Sequence, residues 1–84
     1  SAGGPDEIEV PMHYEINHNR LWRQLEDTET AMAQKGAKVD SIVQLIYEGD
    51  SKVPTKIIKT TIIDGHKTVL ACDNITGEVI QVLS

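Results

Sequence analysis

The chain has 84 residues, enough for one domain that buries only a little more than about 60% of its unfolded surface, so its apolar side chains must be placed economically. With no phenylalanine, one tryptophan and two tyrosines, the core must come from Ile, Val and Leu, a composition that favours strands. A formal charge of -5 argues against general affinity for nucleic acid or anionic membranes, a single cysteine excludes an intrachain disulfide, and no apolar run approaches the roughly 18 residues of a spanning helix.

Residues 1–7, "SAGGPDE", are expected to form a flexible tail ahead of one domain spanning 8–84. The tail has neither the basic start nor the apolar stretch of a secretory signal, and with the lone Cys72 this makes a reducing, cytoplasmic setting the expectation. From Ile8 the pattern alternates. Ile8, Val10, Met12, Tyr14 and Ile16 share one face, with Glu9, Pro11, His13 and Glu15 on the other, which predicts a half-buried strand. Pro11 cannot donate to a ladder, so that strand is expected to lie at a sheet edge or to carry a bulge there. The period then lengthens. Leu21, Leu25, Thr28 and Met32, flanked by Trp22 and Ala33, predict a helix over 19–35, capped by Asn17 or Asn19 and stopped by Gly36.

The second half reads as four strands, "DSIVQLIYE", "PTKIIKTTII", "HKTVLAC" and "EVIQVLS", separated by "EGDSK", "DG" and "DNITG". Asp64-Gly65 signals a two-residue hairpin, because both turn positions favour positive φ. Pairing Ile63 with His66 and Asp73 with Glu78 fixes a register, and the period of two then sorts the side chains. Ile58, Thr60, Ile62, Val69, Ala71, Ile80 and Val82 fall together and are expected to form the core beneath the helix. Ile57, Leu70, Cys72, Val79 and Leu83 fall on the opposite face with Lys59, Thr61, Thr68 and Gln81. That mixed face is expected to stay open and act as a protein interface, because contiguous exposed apolar surface marks interaction sites.

The chemistry-bearing residues form no recognised catalytic or metal signature. His13, Glu15 and His18 do not fall at zinc-ligand spacing, and Cys72 lies six strand positions from His66, too far for a thiolate pair. No cofactor is expected. There is no nucleophile elbow and no phosphate-binding loop, so a non-enzymatic protein is expected. Arg20 and Arg23 stand at the helix start, where acids are favoured, and with His18 they make a candidate anion-binding site. Glu7, Glu9 and Glu15, with Asp6, give the first strand an acidic edge. Lys52, Lys56, Lys59 and Lys67 are spread over different faces and lack interleaved exposed aromatics, so nucleic acid is not the expected partner. Asn74-Ile75-Thr76 is a glycosylation sequon at a predicted turn.

The order strand, helix and four-strand meander over residues 8–83 resembles the cystatin and monellin architecture, in which an antiparallel sheet wraps one helix; Gly3 and Gly4 are similar to the glycine start of a cystatin. The hairpin that carries Gln-x-Val-x-Gly in cystatins reads "YEGDSKVP" here, and the last hairpin reads "DNITGE" without Pro-Trp. The resemblance therefore implies a fold and assigns no inhibitory residue. The same order resembles the phage inhibitor of uracil-DNA glycosylase, an acidic DNA mimic, which implies a role for the acidic edge. The expected fold is thus α+β, one helix on a mainly antiparallel five-stranded sheet in the order β-α-β-β-β-β. The expected function is a small protein-interaction module, with a protein partner or a second copy of itself. An anion or nucleic-acid binder and a DNA-mimic inhibitor stand as alternatives.

Overall fold

The computed structural model describes residues 11–83. In chain order it contains α1 (Tyr14–Asn17), α2 (Arg20–Gln34), β1 (Val39–Ile46), β2 (Lys56–Ile63), β3 (His66–Asp73) and β4 (Val79–Leu83). The strands form one antiparallel sheet in the order β1-β2-β3-β4, with α2 laid across one of its faces. The architecture is α+β as expected, but among the described residues the sheet has four strands rather than five. No helix among them is long and apolar enough to cross a membrane.

The missing strand is the one expected from Ile8 to Ile16. Residues 8–10 lie outside the described residues, as does the expected tail, and Tyr14–Asn17 closes a single helical turn instead. His13 caps that turn, its Nδ1 accepting from the Glu15 amide at 2.9 Å. Met12 and Ile16 fit both patterns, being two alternations apart on a strand and one turn apart on a helix. The turn brings Ile16, fully buried, and Met12 onto the core while Tyr14 faces outward.

Helix α2 begins where the sequence allows. Asn19 is its N-cap, with Oδ1 accepting from the amides of Leu21 at 2.8 Å and Trp22 at 3.3 Å. It ends in a paired closure, Ala37 N to Met32 O and Gly36 N to Ala33 O, both 3.0 Å. This closure requires the positive φ of +89° that Gly36 supplies. Asp64 and Gly65 both adopt positive φ, 47° and 87°, as the two-residue hairpin demands. The turn is tied to the start of β1 by Asp64 N to Lys38 O at 2.9 Å and Lys38 N to Asp64 Oδ1 at 3.0 Å.

The register read from the turns is the one observed, with Ile63 opposite His66 and Cys72 opposite Val79. The core, however, lies on the other face. Ile57, Leu70 and Cys72 are buried with Ile16, Trp22 and Leu25, and Val79, Leu45 and Leu21 pack against them. The face expected to be the core carries no helix among the described residues, and Ile80 and Val82 on it are 51% and 58% exposed.

A charged pair accompanies this choice of face. Trp22, Leu25, Glu29 and Met32 recur at helical spacing on α2, so Glu29 is brought down onto the sheet. Lys59 answers it from β2: its Nζ lies 3.2 Å from Glu29 Oε2, donates to Ser41 Oγ at 3.0 Å and sits 5.3 Å from the centre of the Trp22 ring. The Thr61 hydroxyl donates to the same Glu29 oxygen. Turning the helix onto the opposite face would leave Glu29 against isoleucine and Lys59 without its partner, and an unpaired buried charge costs several kcal/mol, about 3–5 in typical cases.

Candidate functional site

The candidate site is the face left uncovered by the described residues, best described by its cross-strand rows. The outer row at one end reads Asp40, Ile62, Lys67. The next reads Ile42, Thr60, Val69, Leu83, and the third Gln44, Ile58, Ala71, Ile80. The outer row at the other end reads Ile46, Lys56, Asp73. Directly opposed residues share a face, so these rows form two mainly apolar central rows bounded at each end by one acid and one base. Ile42, Ile46, Ile80, Val82 and Leu83 are exposed, and Ile58, Ile62, Val69 and Ala71 are half-buried. A shallow depression of about 240 Å³ lies where the small Ala71 separates Ile58 from Ile80, with Lys56, Asp73 and Glu78 on its rim.

The charges at this rim are fixed by the adjoining turn. Asp73 Oδ1 accepts from the amides of Ile75 at 2.8 Å and Thr76 at 3.0 Å. These two bonds, Thr76 first, hold the Asp73 carboxyl below the usual carboxylate range, and Lys56 adds to the effect. Both effects favour the ionised carboxylate beside Lys56.

The residues expected to make the interface are placed elsewhere. Ile57, Leu70 and Cys72 are interior to the chain and offer no surface, because the helix chose their face. Val79 is half-buried at the margin of the same core. Leu83 is exposed, but a register shift between Val69 and Leu70 sets it opposite Val69, on the uncovered face, rather than in the row of Thr61 and Thr68. Burial pushes the Cys72 thiol up to about 11, against a smaller opposing effect from Lys59. A thiol so held is protonated at neutral pH and a poor nucleophile.

The anion-binding candidates lie at the junction of α1 and α2. The His18 ring stacks on Tyr14 at 4.2 Å between centroids, and its Nδ1 is 3.1 Å from the Tyr14 carbonyl. Arg20 and Arg23 are exposed on successive turns of α2. Three of the helix-start amides are occupied, those of Leu21 and Trp22 by Asn19 Oδ1 and that of Arg23 by the Asn19 carbonyl at 3.0 Å. Of the acidic edge, Glu7 and Glu9 lie outside the described residues and Glu15 is exposed on α1. No three His, Cys, Asp or Glu side chains among the described residues gather closely enough to hold a metal ion.

Asn74 belongs to a different role from the one its sequon implies. It is 8% exposed, its Nδ2 donates to the carbonyls of Pro54 at 2.8 Å and Pro11 at 3.0 Å, and its Oδ1 accepts from His13 N at 2.7 Å. Both amide hydrogens are used, so no nitrogen is presented for a glycan in the folded chain. The side chain clamps the segment before α1 to the loop before β2. Gly77, at φ +85°, allows that approach: a Cβ there would lie 2.8 Å from His13 Nδ1 and would also meet Glu15.

The sequence pattern predicts an open apolar face but places it on the wrong side, and it does not predict the charged pair in the core. One signal points to both: Glu29 stands in the apolar stripe of the helix, seven residues after Trp22 and four after Leu25, and calls for a cation on the sheet face beneath it. Lys59, with Ile57, Leu70 and Cys72 on its face, is that cation. The chain matches no family model, no curated protein and no solved structure, and the functional reading rests on the geometry of the uncovered face.

Proposed function

We propose that the protein is a small non-enzymatic interaction module, an adaptor, inhibitor or assembly subunit, that binds a protein partner through the uncovered face of its sheet. One observation carries this reading: the face that no helix covers among the described residues has apolar rows as extensive as those of the covered one. The covered face includes Leu45, Ile57, Ile63, Leu70, Cys72 and Val79 with Lys59, Thr61, Thr68 and Gln81, and the uncovered one includes Ile42, Ile46, Ile58, Ile62, Val69, Ile80 and Leu83 with Asp40, Gln44, Lys56, Thr60, Lys67 and Asp73. A contiguous apolar patch of this kind stays in contact with water at a cost of about 25 cal/mol per Å² that association recovers.

The anion-binding alternative draws support from the exposed guanidinium groups of Arg20 and Arg23, while the amides of Leu21 and Trp22 are already bonded to Asn19. The DNA-mimic alternative draws on Glu15 alone among the described residues. The test is Ile80→Glu: we expect its unfolding free energy to stay within about 1 kcal/mol of the parent, the range of β-propensity effects, while its association is lost. Loss of the folded state would overturn the reading, because the face would then belong to the chain's own core.

A further inference from the structure

We infer that the occupant of the uncovered face is a second copy of the chain, packed face to face as an isologous sandwich. The inference rests on the reading of that face as an interaction surface and adds the identity of the partner. Three properties of the face support it.

The first is charge order. A twofold axis parallel to the strands and midway between β2 and β3 lays β2 of one copy over β3 of the other. Lys56 then faces Asp73 of the second copy, and Asp73 faces Lys56 of the second copy, since the two are cross-strand neighbours in each chain. At this end the patch opposes its own rotated image with unlike charges, the self-complementarity an isologous interface requires, while at the other end the stem of Lys67 comes over Ile62 of the second copy.

The second is shape. The same operation sets Ile58 over Ala71 of the second copy and Ala71 under Ile58 of the second copy, because these also are opposed in one row. The depression at Ala71 is thereby matched with a large side chain, twice over. Thr60 and Val69 meet in the same way in the next row. Sheets packed in this manner align within about 30° and lie about 10 Å apart, a distance that interdigitated isoleucines span.

The third is area. Four strands about 4.8 Å apart, with up to eight residues of about 3.3 Å each, give a face of roughly 19 by 26 Å, about 500 Å² in projection and more as accessible surface. Two such faces bury on the order of 1,000 Å² or more, which reaches the threshold of about 1,000 Å² for a specific interface. The central rows are apolar and the charges lie at the rim, the distribution found in association surfaces.

Sedimentation velocity and light scattering on the full chain at micromolar concentrations test the inference. The expected result is twice the mass of one chain, falling to a single mass in Ile58→Glu and in Ile80→Glu with unchanged circular dichroism. Lys56→Glu should raise the dissociation constant several-fold at low salt. Val43→Glu supplies the control: Val43 is 49% exposed but pairs with Lys59, on the face that carries the helix, and its substitution should leave the dimer intact. A parent chain that stays a monomer at high micromolar concentration overturns the inference, as does a dimer broken by Val43→Glu and left whole by Ile80→Glu. If the monomer binds an apolar dye that Ile80→Glu does not, the face remains an interaction surface for another protein and only the second copy is dismissed. If Ile80→Glu unfolds the chain, both readings fall.

Discussion

Ile57 and Ile58 are adjacent, chemically identical and on opposite faces of β2, and they give the account its sharpest quantitative test. Ile57 is fully buried, in the cluster with Trp22, Leu25 and Leu70. Truncation to alanine removes three carbon groups worth about 0.8 kcal/mol each and leaves a cavity that the surroundings fill only in part, so Ile57→Ala should cost about 3–4 kcal/mol. A domain of this size has a total stability of roughly 4–12 kcal/mol, so the loss is a large fraction of the whole. Ile58 is half-buried and nothing among the described residues covers it, so Ile58→Ala should cost about 1 kcal/mol in the monomer. Urea unfolding followed by tryptophan fluorescence reads both values, with Trp22 as the single reporter in the core. Measurement at two protein concentrations separates the faces again: the Ile58→Ala cost should grow with concentration as the dimer forms, and the Ile57→Ala cost should not. Equal losses, or a larger loss at Ile58, would refute the assignment of the core.

Three further outcomes follow from the same geometry. Lys59→Met should destabilise by about 3 kcal/mol by leaving Glu29 unpaired at 15% exposure, and the double variant Lys59→Met, Glu29→Leu should recover most of that loss in denaturant titrations. Asn74→Ala should cost about 1–3 kcal/mol and speed exchange of the His13 amide, which loses its acceptor; Gly77→Ala should loosen the same segment, because its Cβ meets Glu15 and His13. Cys72, at 2% exposure, should resist alkylation in the folded chain. Its thiol is raised from 9.0 to about 11, so the unfolded chain ionises first and stability falls as pH climbs between those values. That alkaline decline should be shallower in Cys72→Ala.

Local structure in this chain was legible wherever one residue type dictated a backbone conformation. Asp64-Gly65 fixed the β2–β3 register, and Asn19 and Gly36 bounded the helix as their capping chemistry requires. The register was right, yet the core was placed on the wrong side of it, because counting apolar residues favours the face of Ile58, Ile80 and Val82. The feature that apolar counting overlooks is ionic: Glu29 and Lys59, 30 positions apart in the chain, meet on the covered face, and a helix turned to the other face would bury Glu29 without its cation. The first strand failed for a different reason. Met12, Tyr14 and Ile16 span too few residues to separate a period of two from a turn of helix, and the contact that bends the chain there, His13 to Asn74, joins residues 61 apart. Leu83 was displaced by a bulge that neither turn encodes. The candidate site was therefore half legible: the sequence contained an open apolar face, and its side depended on a long-range pair.

The most direct test of the central claim is the set of nuclear Overhauser contacts made by the Trp22 ring. The account predicts cross-peaks from the indole to the Lys59 side chain, whose ammonium lies 5.3 Å from the ring centre, together with upfield-shifted Lys59 methylenes. Contacts from the indole to Ile58, Thr60 or Val69 would put the helix on the opposite face and contradict both the core and the interaction surface derived from it.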